Sequence, residues 1–148
     1  MCTILLVEDN PLIRELVREI LEIARYEVVE ACNGNEALRM VADTPPNLVL
    51  LDIQLPGLDG YTVLHRLRGD PRFNKIPVIA LTAYALHSDR RRILEAGFDC
   101  YMTKPIDRAS LLENIHSLLV SIRLAEAKKT AHSLTTANAA STNHASRG

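Results

Sequence analysis

The chain has 148 residues, 47% apolar and 24% charged, with a formal net charge of −1. That is enough for one domain with a real core, and it excludes a general electrostatic pull towards nucleic acid or anionic membrane. The run Ile4-Leu5-Leu6-Val7 is too short for a signal sequence, and no segment nears the roughly 18 apolar residues of a membrane span, so a cytoplasmic location is expected.

Cys2, Cys32 and Cys100 are widely spaced and form no C-x-x-C. A zinc knuckle is thereby excluded and a disulfide framework disfavoured, leaving each thiol as a small core hydrophobe.

Thr3 to Val7 reads as a short buried strand, followed by Glu8-Asp9-Asn10-Pro11. Asn10 is a strong N-cap, and Pro11 suits the first helical position. Ile13, Leu16, Val17, Ile20 and Ala24 recur at helical spacing as a core face, with Arg14, Glu15, Arg18 and Glu22 turned to water. Tyr26 to Ala31 is a second strand, Asn33-Gly34 a turn, and Glu36 to Ala42 a short helix. Pro45-Pro46 ends that helix, because the residue before a proline is pushed out of the helical region.

Leu48-Val49-Leu50-Leu51 then runs unbroken into Asp52, and Pro56-Gly57 turns the chain. A continuous apolar run bounded by turn signals suits a strand buried on both faces. On this stretch alone, Asp52 reads equally as a turn cap or as a carboxylate at the ligand-binding edge of a sheet.

Tyr61 to Leu67 reads as a helix stopped by Gly69-Asp70-Pro71. Pro77 to Leu81 is a fourth strand, ending in Thr82-Ala83. Ser88 is expected to cap a helix through Ile93 and Leu94 to Gly97, a C-terminal stop. Asp99 to Thr103 is a fifth strand, closed by Lys104-Pro105. A last helix, from Asp107 to about Lys128, carries Leu111, Leu112, Ile115, Leu118, Leu119 and Ile122 on one stripe.

The tail from Thr130 is polar with a single leucine and is expected to be disordered. The expected division is therefore a domain at 1–128 and a tail at 129–148, with no fused DNA-binding domain.

Five strands alternating with five helices predict an α/β fold with a doubly wound parallel sheet. The flavodoxin-like order 2-1-3-4-5 is expected at this size. With the first and third strands as neighbours, Glu8, Asp9 and Asp52 meet at one edge, joined by Thr82 and Lys104. Clustered carboxylates raise one another's pKa unless a cation intervenes. Mg²⁺, a hard ion with oxygen ligands, suits them. A metal, an ammonium and a hydroxyl around one carboxylate make a site for a phosphoryl group.

Four motifs stand in order at the strand ends: Val7-Glu8-Asp9-Asn10, the stretch from Leu51-Asp52 through Asp59-Gly60, Leu81-Thr82-Ala83, and Thr103-Lys104-Pro105. Together they resemble the receiver domain of bacterial response regulators over about residues 3 to 123, most of all its single-domain members similar to DivK and CheY. The resemblance implies a CheY-like fold in which Asp52 accepts a phosphoryl group from a histidine kinase or histidine phosphotransfer protein. It implies Mg²⁺ on Asp9, Asp52 and the backbone carbonyl of Gln54, with Glu8 acting largely through water. Lys104, the Thr82 hydroxyl and the Ala83 backbone N–H would hold the phosphoryl oxygens. Lys104-Pro105 would be cis, and Tyr101 would act with Thr82 as the switch.

The surface of the fourth helix, fifth strand and fifth helix would then change for a downstream protein target, in a monomer or weak dimer. Such a protein catalyses only its own phosphorylation and dephosphorylation.

An alternative is a small Mg²⁺-dependent phosphohydrolase with Asp52 as nucleophile. Phosphatases of the haloacid dehalogenase type carry an acid two residues after the nucleophile. Gln54 stands there and cannot exchange a proton near neutral pH. Asp89-Arg90-Arg91-Arg92 reads as a solvated helix face, or as a docking surface for an acidic protein partner. His65, His87, His116, His132 and His144 have no metal-ligand spacing.

The resemblance further implies that Gln54 and Tyr84, two residues after Asp52 and Thr82, would lie beside the path of a hydrolytic water, where a bulky Tyr84 is expected to screen an acyl phosphate at Asp52. Tyr84→Ala should therefore shorten the phosphoryl lifetime in an autodephosphorylation assay, and a rate equal to wild type would refute this screening.

Overall fold

The structure, a computed structural model, describes residues 2–83 and 86–147, with side chains described as far as Thr130. Five strands form one parallel sheet: β1 (Thr3–Val7), β2 (Glu27–Ala31), β3 (Leu48–Asp52), β4 (Val78–Thr82) and β5 (Cys100–Thr103). Their spatial order is β2-β1-β3-β4-β5, the doubly wound arrangement expected from the sequence. Between them run α1 (Pro11–Ile23), α2 (Gly34–Asp43), α3 (Gly60–Arg68) and α4 (His87–Ala96), and α5 (Arg108–Arg147) follows β5. The chain divides into two units, Met1–Ile115, which holds the sheet, and His116–Gly148, the rest of α5.

The order of the strands follows their apolar content. β3 and β4 are buried at every position and lie inside the sheet, whereas β2, with an exposed Glu27, is an edge. Leu5, Val49, Leu51 and Ala80 pack in one cluster with Val41 of α2, Leu64 of α3 and Ile93 of α4. Side chains alternate across a strand, so Ile4, Leu6, Leu48, Leu50, Ile79 and Leu81, all fully buried, turn to the opposite face. Val17, Ile20 and Leu21 of α1 and Leu111 and Ile115 of α5 are the buried helical residues left to cover it.

The helix starts are set by side chains satisfying free backbone donors. Asn10 Oδ1 accepts from the N–H of Leu12 at 2.9 Å and of Ile13 at 3.3 Å, with Pro11 in the first helical position. Asp59 Oδ1 accepts from the Thr62 N–H at 2.9 Å, and Asp107 Oδ2 from the Ser110 N–H at 2.9 Å.

Several local expectations are corrected. Ser88 does not cap α4. The Leu86 carbonyl accepts from the N–H groups of Asp89 and Arg90, so the helix starts at His87 and Ser88 already lies in its first turn. Asn33-Gly34 is no free turn: Asn33 caps α2, its Oδ1 accepting from the Glu36 N–H at 2.8 Å. Leu16 is 50% exposed and Ala24 is exposed, because the inward face of α1 centres on Val17, Ile20 and Leu21. Cys32 is exposed rather than in the core.

The backbone of α5 runs on to Arg147 instead of closing near Lys128. No proline or glycine interrupts 108–147, and alanine, the best helix former, recurs there. The side chains of the polar tail, 131–148, lie outside the described residues, as does Tyr84.

Gly60 joins the fold to the end of β3. Its N–H donates to the Ile53 carbonyl at 2.9 Å. A Cβ on Gly60 would lie 2.6 Å from both the Asp52 carbonyl oxygen and the Ile53 Cα, which are backbone atoms that cannot yield cheaply. Gly60→Ala should therefore cost about 1–3 kcal/mol, as overpacking does, although alanine is the better helix former. Urea unfolding measures this, and a stability equal to or above wild type would contradict the crowding.

Candidate functional site

Parallel strands open their carboxyl ends on one edge of the sheet, where open α/β folds bind ligands. β1 ends at Val7 and delivers Glu8 and Asp9, β3 ends in Asp52, β4 ends in Thr82, and β5 leads into Lys104. Val7 pairs with Leu51 and Thr82 with Thr103, so these ends stand side by side.

Glu8, Asp9 and Asp52 each offer a carboxylate oxygen, and these atoms lie within 4.8 Å of one another. Glu8 is 0% and Asp52 2% exposed, while Asp9 faces solvent. Lys104 Nζ lies 3.1 Å from Asp52 Oδ2 and 2.6 Å from Glu8 Oε1. The Lys104 ammonium is the close charged partner of the buried Glu8 Oε1. The Gln54 N–H donates to Asp52 Oδ1 at 3.0 Å, and the Asn10 N–H to Glu8 Oε2 at 3.3 Å.

Two titrations follow from this crowding. Burial, and then the neighbouring Asp52 carboxylate, push Glu8 up to about 7 against the pull of Lys104. Burial works against the charge on Lys104, yet Glu8 and Asp52 together raise its pKa above the ordinary lysine value. Three acids whose oxygens lie this close form an oxygen-rich donor set, and such a set fits a hard divalent cation.

The remaining expected residues border this cluster. Thr82 is buried, and its carbonyl accepts the Lys104 N–H at 2.8 Å. Ala83 and Gln54 are exposed beside it. The Lys104–Pro105 peptide is cis. Tyr101 is half-buried on β5, with the Arg90 guanidinium 5.8 Å from its ring centroid.

The arginine run of α4 is exposed, as expected of a solvated helix face, and each guanidinium also has a neighbour on the protein. Arg90 covers Tyr101, Arg92 lies 4.6 Å over the Tyr61 ring, and Arg91 pairs with Glu95 at 3.0 Å. Arg14, assigned to solvent from its helical position, is instead half-buried, and its Nη1 donates to the Glu8 carbonyl at 2.9 Å. Periodicity alone could not have found this contact, which depends on the turn before α1 folding back under the helix.

A family model for the response regulator receiver domain matches residues 4–116. The polar-differentiation response regulator DivK of Brucella anthropi is 40% identical over 117 residues, covering 79% of this chain and 95% of DivK. Its counterpart in Brucella ovis is 39% identical over the same length, with the same coverage of both chains.

Among solved structures, the signal receiver domain of a signal transduction histidine kinase from Syntrophus aciditrophicus matches with a TM-score of 0.77 and 37% identity, covering 82% of this chain and 92% of that one. The receiver domain of a sensor histidine kinase from Pseudomonas aeruginosa matches with a TM-score of 0.74 and 36% identity, covering 80% and 97%. That structure carries a magnesium ion coordinated in its active site cleft. A match from residue 4 to residue 116, on a sheet whose carboxyl edge gathers these acids beside Lys104, means that the chain belongs to the response regulator receiver domain family.

Proposed function

We propose that the chain is a phosphorylation-controlled protein switch in which Asp52 is the phospho-acceptor. The observation that carries this reading is one buried carboxylate, Asp52, placed within reach of two further acids and of the Lys104 ammonium. An Asp52 oxygen attacks the phosphorus of a phosphohistidine on a kinase or phosphotransfer protein. The P–N bond breaks, an acyl phosphate forms, and the imidazole leaves. Phosphoryl transfer asks chiefly for positioning and charge neutralisation. Lys104 supplies a fixed positive charge, and the Thr82 hydroxyl with the Ala83 N–H supplies donors for the phosphoryl oxygens.

Mg²⁺ would be held by Asp9, Asp52 and the Gln54 carbonyl, with Glu8 through water. When bound, it neutralises the phosphoryl charge. Gln54 stands where a phosphohydrolase needs an acid, so the acyl phosphate turns over slowly and the protein acts as a regulator rather than an enzyme.

Thr82 and Tyr101 couple the phosphoryl group to the surface between α4, β5 and α5. A cleft of about 250 Å³ lies on that surface, lined by Arg90, Tyr101, Thr103, Asp107, Ser110 and Asn114. Its partner is a downstream protein, met in the cytoplasm by a monomer or weak dimer. No helix among the described residues is long and apolar enough to cross a membrane.

Acetyl phosphate with Mg²⁺ should label wild type with one phosphoryl group per chain, and Asp52→Asn should remain unlabelled by mass spectrometry. Persistent labelling of that variant, or multiple-turnover hydrolysis of a small phosphate ester by wild type, would overturn the reading.

The raised Glu8 pKa sets a pH dependence in Mg²⁺-free buffer. Between the ordinary value of 4.5 and about 7, folded Glu8 keeps a proton that the unfolded chain has released. Its stabilisation is complete below that window and is lost as pH rises through it. Wild type should lose stability relative to Glu8→Gln by up to about 1.4 kcal/mol per pH unit there. Parallel unfolding curves for the two proteins across this range would contradict it.

A further inference from the structure

We propose that Arg14 is a positioning residue for the acidic pair Glu8 and Asp9, acting through the peptide group that joins them; this rests on the metal-assisted phospho-acceptor reading above. Arg14 is the fourth residue of α1, within its first turn. A cation there opposes the positive end of the helix macrodipole, which favours acids. The first turn of α1 holds no acid to offset it. Helix stability alone therefore argues against arginine at this position, and a local rule broken this way points to a role outside the helix.

Its side chain leaves the helix surface and crosses the preceding turn. Arg14 Nη1 donates to the Glu8 carbonyl oxygen at 2.9 Å, and the side chain is only 19% exposed. Its Nε lies 4.0 Å from Glu30 Oε2 on β2, and Glu30 Oε1 lies 3.6 Å from Arg18 Nη1. Arg14 is thus steadied on the neighbouring strand while its tip holds the turn.

The carbonyl it holds belongs to the Glu8–Asp9 peptide. The Glu8 N–H is already fixed on the other side, donating to the Ala31 carbonyl at 3.1 Å. With both polar groups of Glu8 engaged, the plane between Glu8 and Asp9 cannot rotate freely. With the peptide planes on both sides of Glu8 held, the direction of its Cα–Cβ bond is set, and the held plane before Asp9 narrows the directions open to the Asp9 carboxylate beside Asp52.

Orientation and electrostatics predict opposite signs for removing Arg14. A positive charge beside three acids repels a divalent cation, so deleting it would tighten metal binding if charge were its only effect. If Arg14 holds the peptide plane, deletion loosens the carboxylates and weakens binding. Groups that orient metal ligands without touching the metal are typically worth 10–100-fold in affinity.

Calorimetric titration of the full chain with MgCl₂, well below the melting temperature, decides between them. Arg14→Gln should bind Mg²⁺ about tenfold more weakly than wild type. Glu30→Gln, which keeps the carbonyl contact and loses its anchor, should show a smaller loss in the same direction. Should Arg14→Gln fail to fold, Arg14→Lys, which keeps the charge and loses the guanidinium geometry, is the deciding variant and should also bind Mg²⁺ more weakly than wild type. Affinity equal to or tighter than wild type in a folded variant would overturn the proposal, including the case where only the melting temperature falls. A wild type that binds no Mg²⁺ at millimolar concentration would overturn the reading of the acidic site and the proposal with it.

Discussion

The Lys104 ammonium between Asp52 and Glu8 is the contact on which the rest of the carboxyl edge depends. Two carboxylates almost wholly removed from water repel each other at a cost. One ammonium, 3.1 Å from the first and 2.6 Å from the second, offsets part of that cost. It does not offset all of it, since Glu8 remains raised to about 7. Buried charge held in incomplete balance is a poor source of stability. It is what a site needs if it is to take up a cation and then a phosphoryl group, each of which changes the local charge.

The sheet makes that balance possible. Lys104 and Asp52 are far apart in sequence and meet only because β4 lies between β3 and β5 in a parallel sheet. The Lys104 N–H is tied to the Thr82 carbonyl at 2.8 Å, so the lysine backbone is carried on the end of β4. Gly60 lets α3 begin directly against the Asp52 carbonyl, which pins the end of β3 from the other side. The charged side chains therefore hang from strand ends that have little freedom to relax away from one another.

Most of this frame was legible in the sequence because it depends on short-range signals. Unbroken apolar runs marked β3 and β4, and Asn10-Pro11 marked the start of α1. The strand-end residues Glu8, Asp9, Asp52, Thr82 and Lys104 followed once the strand order was fixed. What escaped depends on tertiary geometry. Leu16 and Val17 are adjacent apolar residues, and only packing decides that Val17 turns inward. Ser88 was a good capping residue in a helix that begins before it. Arg14 looked like a surface charge, because nothing in a helical repeat says that a side chain reaches back over the preceding turn.

The same distinction bears on how a change at Asp52 would travel. α1 is anchored by three buried apolar residues, whereas α4 buries only Ile93. What else ties α4 down is largely aromatic and cationic: Arg92 over Tyr61 on α3 and Arg90 over Tyr101 on β5. Contacts of this kind are worth about 0.5–1 kcal/mol each at exposed sites, far less than a buried aliphatic face. Elements held so lightly lie at the low-stability end of a fold, from which moving parts are drawn. Tyr101 is both the ring under Arg90 and the aromatic three residues before Lys104. Under the proposed reading, a rotation of that ring would withdraw one of the two cationic ties of α4. The arginine run is thus a solvated face that also lends α4 two of its weak ties.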